Sequence, residues 1–271
     1  MDYGETYACI GYLTSVRLLI RLAVQKNWKI DRFDVVTALL NFNVNDNTLF
    51  MELREGWPKH GPRGRPEEVT VVRLRKALYG LKQASHLSYW HINAFVLFPG
   101  SIQSEADPNN YIRNLGEMLL LLYIDDMLLA YAPTVAHTLE EIKKAIATTY
   151  KITNLGTAQQ FLRILIHFSN DGISLSQRVF IDSILKRFHM ETAHGAATPL
   201  DDKVMLDHVE EDREREGEVD PKHYQAIVGY LMYIALATRP DISFAVAALS
   251  QYNSSPFACH LQAARRVLRY L

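Results

Sequence analysis

The chain has 271 residues, 48% hydrophobic and 22% charged, with a formal net charge of −1. That balance is ordinary for a globular protein of one or two domains, so disorder is not the expectation for most of the chain. Near-neutrality also excludes a uniformly basic surface, so a polyanion would have to be gripped by a local patch.

Cys9 and Cys259 lie far apart without a CxxC partner, and the histidines form no HExxH. A disulfide framework and a zinc site are therefore not expected, and a reducing compartment is. Met1 to Glu5 lacks the basic-then-apolar order of a secretion signal. The apolar run Met118 to Ile124 is too short to span a bilayer. The expectation is a soluble intracellular protein, neither secreted nor membrane-bound, of unassigned oligomeric state.

In chain order, Thr14 to Gln25 carries apolar residues at helical spacing behind a Thr/Ser start and predicts a helix. Trp28 to Val36 alternates and predicts a strand. Lys59 to Pro66, rich in Gly, Pro and basic residues, reads as a surface loop. Val69 to Leu74 reads as a strand and Gln83 to Leu97 as a helix. Met118 to Ile124 and Met127 to Tyr131 read as a buried hairpin around Asp125-Asp126. A helix over Val135 to Tyr150 and a strand over Gln160 to His167 follow. Asn170-Asp171-Gly172 is a turn signal joining that strand to Ile173 to Ser176. Arg178 to Phe188 reads as a helix. Glu210 to Glu218 holds six acidic residues in nine and reads as a solvated linker. Helices are expected over Lys222 to Ala237, Ile242 to Tyr252 and Phe257 to Leu271. The mixture lacks strict βαβ alternation, which predicts an α+β fold with a helical C-terminal part.

Asp125 and Asp126 interrupt an otherwise apolar stretch, where buried carboxylates are costly unless paired or bound to a metal. Two adjacent like charges repel, and a divalent cation relieves the repulsion. The plainer alternative is a hairpin turn, where Asp is common. A partner carboxylate would have to come from elsewhere. Asp31 and Asp34 are three apart on one strand and so face opposite ways; periodicity does not choose between them. A second feature is charge: Arg54 to His91 carries a local excess of +5, with Arg73 and Arg75 on one strand face in position for a row of phosphates. A solvated charged face is the bland alternative. Arg265, Arg266 and Arg269 on the last helix leave the same choice open.

Tyr123-Ile124-Asp125-Asp126 after an apolar strand resembles the YxDD box of reverse transcriptases. Asp34 to Asn41 (DVVTALLN) resembles the DVKTAFLN block of copia-type (Pseudoviridae) retrotransposons, and Lys76 to Ala84 (KALYGLKQA) their KALYGLKQAP signature. Glu52 to Pro58, Ser104 to Tyr111, Gly172 to Gln177, Ile184 to Met190, Thr198-Pro199, Arg239 to Ile242 and Arg266 to Leu271 resemble further blocks in the same order. The resemblance is thus collinear over nearly the whole chain. It implies a right-hand polymerase: a palm with a ferredoxin-like βαββ core, partial fingers and a helical thumb or connection. Expected boundaries are 1–199 for the partial fingers and the palm, running into the thumb, 200–221 for the charged linker and 222–271 for a helical thumb or connection segment. The chain is expected to be a core truncated before RNase H and after the early fingers.

The implied activity is RNA-directed DNA polymerisation. Asp34 is selected over Asp31, and Asp34, Asp125 and Asp126 become the catalytic, metal-binding set for two Mg²⁺, or Mn²⁺, ions roughly 3.5–4 Å apart. Val35, Leu39, Gln83 and Tyr123 would contact the nucleotide or primer end, and Arg73, Arg75, Lys76 and Lys82 the nucleic acid. The implied partners are an RNA template, a DNA primer and deoxynucleoside triphosphates, in the cytoplasm (a virus-like particle) or the nucleus. Four places depart from the pattern: Leu39 stands for Phe, which implies weaker rejection of ribonucleotides; Phe42 and Arg163 stand for Gly; Ser85 to Ser88 replaces Pro-Arg-Ala-Trp. They leave an alternative, a degenerate remnant that at most binds nucleic acid. A different palm-type nucleotidyltransferase or cyclase would share the aspartates but not KALYGLKQA.

Overall fold

The computed structural model describes residues 10–35, 49–53, 56, 71–76, 78, 81, 84–97, 100–113, 116–149, 152–201, 206 and 219–271. The chain divides into two units, Met1–Ala158 and Gln159–Leu271.

In the first unit the apolar hairpin sits inside a sheet. Strands β1 (Lys29–Val35), β4 (Ser101–Gln103), β5 (Asn110–Arg113), β6 (Met118–Tyr123), β7 (Asp126–Tyr131) and β8 (Ile152–Thr157) form a six-stranded antiparallel sheet in the order β4-β5-β6-β7-β1-β8. A separate two-stranded pair joins β2 (Phe50–Glu52) to β3 (Val71–Arg73). The helices are α1 (Leu13–Gln25), α2 (Ala84–Val96) and α3 (Ala136–Thr149).

Alternation along β1 assigns its two faces. Phe33 and Val35 join Met127, Leu129 and Tyr131 of β7 in one core with Ile92 and Val96 of α2 and Leu139 of α3. Ile30, Arg32 and Asp34 point the other way. There Leu121 of β6 lies against Gly11 at the start of α1, and α1 packs on β1, β6 and β7. Leu128 and Ala130 are fully buried on this face, but burial declines toward the hairpin end, where Asp34, Tyr123 and Asp126 are half-buried.

Helix α1 lacks a capping side chain of its own. Asp107, 2% exposed, supplies one from the β4–β5 connection. It accepts from the backbone N–H of Tyr12 (3.0 Å), the Ser15 hydroxyl (2.6 Å), the Asn109 N–H (3.0 Å) and the Asn110 side chain (3.2 Å). A carboxylate at a helix N-terminus satisfies orphan donors and complements the helix dipole.

On the core face Asp31 accepts from the Tyr131 hydroxyl at 3.2 Å. Burial first, then the Asp31 charge, pushes the Tyr131 phenol up to about 12. An unfolded phenol loses its proton near pH 10, so between pH 10 and 12 the folded state binds the extra proton and stability falls as pH rises. The urea midpoint is expected to drop between pH 9.5 and 11.5, and to drop less in Tyr131→Phe.

The second unit contains β9 (Gln160–Phe161), β10 (Ile164–Ser169), β11 (Gly172–Ser176), α4 (Arg178–Arg187), α5 (Pro221–Ala237), α6 (Ser243–Ser250) and α7 (Ala258–Tyr270). Phe180, Ile181 and Ile184 of α4 share a core with Tyr224, Leu231 and Ile234 of α5, Val246 and Leu249 of α6, and Val267 and Leu268 of α7. Asp220 caps α5, accepting from the Lys222 N–H at 3.0 Å, with Pro221 at the first helical position.

The strand expected over Gln160 to His167 is broken: Leu162 and Arg163, at φ 47° and 59°, turn β9 back on β10. The turn is held from α5, where the Tyr233 hydroxyl donates to the Leu162 carbonyl, and Arg163 lies over the Phe180 ring at 5.3 Å. The segment 159–199 falls in the same unit as the C-terminal helices, because α4 buries its apolar face on them. Strands β2, β4, β5 and β8 were not anticipated. The expected loop over Lys59 to Pro66 and most of the acidic linker lie outside the described residues.

Candidate active site

The hairpin and the strand beside it build the site. Tyr123 pairs with Asp126 across β6 and β7, leaving Ile124-Asp125 as a two-residue bend. The bend thus falls one residue earlier than a symmetric Asp-Asp turn, and Asp126 opens β7. Ile124 has φ +56°, a conformation that strains a β-branched residue and normally falls to Gly or Asn. That strain is offset where the bend meets β1: the Val35 N–H donates to the Asp125 carbonyl at 2.9 Å.

The same β1 end brings the carboxylates together. Asp34 is in register with Asp126, so the two side chains share one face, with Tyr123 beside them. Asp31 points into the opposite face, as its three-residue spacing from Asp34 requires. Asp125 stands in the bend itself, with one carboxylate oxygen buried. Asp126 is engaged by Arg32, whose Nη2 and Nε approach its Oδ1 at 2.8 and 3.1 Å. Both side chains of this pair are about three-quarters buried, at 24% and 22% exposure.

Carboxylate oxygens are the donors a hard divalent ion takes, so the residues present fit Mg²⁺ or Mn²⁺ in chemistry. The arrangement is not a closed metal cage. Among the described residues no group of three His, Cys, Asp or Glu side chains gathers closely enough to hold a metal ion. The cation on Asp126 is the Arg32 guanidinium.

The other expected residues divide. The Val35 side chain is in the core, 2% exposed, so only its backbone is at the site. Arg73, Arg75 and Lys76 are exposed, but β3 ends at Arg73, so Arg73 and Arg75 do not continue one strand face. Leu39, Lys82 and Gln83 lie outside the described residues. On the last helix, Arg266 is occupied structurally: its Nε donates to the Thr198 carbonyl at 3.2 Å, its Nη2 to the Thr198 hydroxyl at 3.0 Å, and it pairs with Asp201 at 3.4 Å. Arg32 is the residue that sequence reasoning missed. Its signal in the sequence is a basic residue two before Asp34 and therefore on the same strand face. Among the described residues no helix is long and apolar enough to cross a membrane.

Residues 1–202 match the family model described as reverse transcriptase (RNA-dependent DNA polymerase). The full chain is 34% identical over 275 residues to the retrovirus-related Pol polyprotein from transposon RE1 of Arabidopsis thaliana, and 35% over 277 residues to that from transposon RE2 of the same plant, spanning 18% of each polyprotein. It is 31% identical over 278 residues, its full length, to the Pol polyprotein from transposon TNT 1-94 of Nicotiana tabacum, spanning 20% of that protein. The matched region is thus about a fifth of each relative.

Proposed function

Because this chain belongs to the reverse transcriptase family of copia-type retrotransposons, we propose that it is the polymerase core of such an element and extends a DNA primer on an RNA template at the Asp34–Asp126 face. The observation that carries the proposal is the register of Asp34 with Asp126 beside the Tyr123 hairpin. It sets carboxylates distant in sequence side by side on one sheet face. The order β1-α2-β6-β7-α3-β8 along the chain, with β6-β7-β1-β8 across the sheet, supports reading the first unit as a ferredoxin-like palm. The helical second unit would act as the thumb or connection.

Asp34, Asp125 and Asp126 would hold the divalent ions. When bound, such ions supply Lewis-acid activation of a primer 3′-hydroxyl and charge stabilisation at the pyrophosphate leaving group. The chain's own contribution is positional. The Val35–Asp125 hydrogen bond fixes the bend against β1, and the hairpin ladder keeps Asp126 level with Asp34. Tyr123, on the same face, would line the primer end. The exposed Arg73, Arg75 and Lys76 would contact phosphates, an interaction that weakens steeply with salt.

The test is primer extension on an RNA template with Mg²⁺. Wild type is expected to incorporate deoxynucleotides and Asp125→Asn to fall to background; equal incorporation by both would refute the mechanism. A second reading, a remnant that binds nucleic acid without copying it, is favoured by the Arg32–Asp126 pair, which places a cation on one of the carboxylates. It predicts salt-sensitive RNA binding with no aspartate-dependent synthesis.

A further inference from the structure

We infer that Arg32 is a built-in competitor for the divalent cation. It occupies Asp126 while the site is empty, sets the ion concentration at which the site loads, and must let go for the carboxylates to act together.

The inference rests on the metal-site reading above and deepens it. Arg32 is on β1, two residues before Asp34, so strand periodicity puts its side chain on the carboxylate face. Register puts it diagonal to Asp126, and two of its nitrogens converge on the same Asp126 oxygen at 2.8 and 3.1 Å. Charge-assisted hydrogen bonds of this kind hold well in a partly buried setting. With both side chains about three-quarters buried, solvent screens the pair less than it would on an open surface.

A carboxylate oxygen that accepts two guanidinium hydrogen bonds is not available to a second cation in the same geometry. An ion that takes this oxygen therefore binds only the fraction of molecules in which the pair is open, and its apparent affinity there is reduced by that fraction. The fixed positive charge adds repulsion for any incoming cation on the same face. Both effects have the same sign: Arg32 weakens loading. The pair also serves the empty state, since it neutralises one of two carboxylates held in register, which would otherwise repel across β1 and β7.

The test is Mn²⁺ binding to the full chain without nucleic acid, by calorimetry or by the electron paramagnetic signal of free Mn²⁺, with circular dichroism confirming the fold of each variant. Arg32→Gln, which keeps length and polarity but not charge, is expected to bind Mn²⁺ about fivefold more tightly than wild type. Arg32→Lys keeps the charge but loses the two-pronged grip and is expected to fall between them. Asp34→Asn is expected to weaken binding in either background. If wild type binds in an Asp34-dependent way and Arg32→Gln binds no tighter, the competition is overturned while the metal site stands. If no variant binds Mn²⁺ in an Asp34-dependent way, both fall together.

Discussion

Asp34→Asn is expected to reduce Mg²⁺-dependent DNA synthesis more than about 100-fold while leaving the fold intact. Asn has nearly the shape of Asp, and Asp34 is half-buried on a strand whose ladder to β7 and β8 is made by backbone groups, so the sheet has no reason to change. What changes is the donor set. A neutral amide binds a hard cation far more weakly than a carboxylate, and even groups that only support metal ligands are worth roughly 10–100-fold. The matching change at Asp31, Asp31→Asn, should spare synthesis, because Asp31 faces Tyr131 and the core. The measurement is primer extension by both variants at saturating Mg²⁺, with thermal unfolding as the control for folding. Equal loss at Asp31 and Asp34 would mean that the face assignment has no functional content.

Asp107→Ala is the change expected to cost most in stability, about 3 kcal/mol or more. The carboxylate collects the Tyr12 N–H, the Ser15 hydroxyl, the Asn109 N–H and the Asn110 amide. Truncation leaves those donors without their acceptor, and Ser15 and Asn109 are themselves buried. Each unsatisfied buried donor costs about 1–3 kcal/mol, a large share of a domain's typical 5–15 kcal/mol. The start of α1 should fray first, and with it the cover over Leu121 and Leu128. Asp107→Asn keeps one accepting oxygen and should lose less. Urea unfolding followed by far-ultraviolet circular dichroism orders the three proteins; an Asp107→Ala midpoint equal to wild type would show that the cap is dispensable.

Much of this architecture was legible because burial and periodicity agree. Thr14 to Gln25 has one apolar stripe and becomes α1. The apolar strands around Asp125 become the two central strands, and Asp31 and Asp34 separate to opposite faces, as a period of two demands. Failures occur where the local signal is weak or contrary. Strand β8 (ITNLGT) is mostly exposed, contains Gly156 at φ +68° and pairs with β1 through a register shift, so no alternation marks it. Strands β4 and β5 are short pieces held by their neighbours. Leu162-Arg163 turns although neither residue favours positive φ, because Tyr233 and Phe180 hold the turn from outside. Such tertiary override of local preference cannot be read from a window of sequence.

The same division holds for the site. Asp34, Asp125 and Asp126 were nameable from motif order, and the sheet register brings Asp34 level with Asp126. What the motifs could not reveal is the cation already present on Asp126. Arg32 belongs to no recognised block; strand periodicity gives its face, and the diagonal contact with Asp126, 94 residues away in the chain, gives its partner.

The most direct measurement is localised cleavage by Fe²⁺ substituted for Mg²⁺, in which radicals produced with ascorbate and peroxide cut the backbone beside the bound ion. Cuts are expected near Asp34 and near the Ile124-Asp125 bend together, suppressed by excess Mg²⁺ and absent in Asp34→Asn. Cuts confined to other segments, or a pattern that Asp34→Asn leaves unchanged, would contradict a shared ion at this face and with it the proposed chemistry.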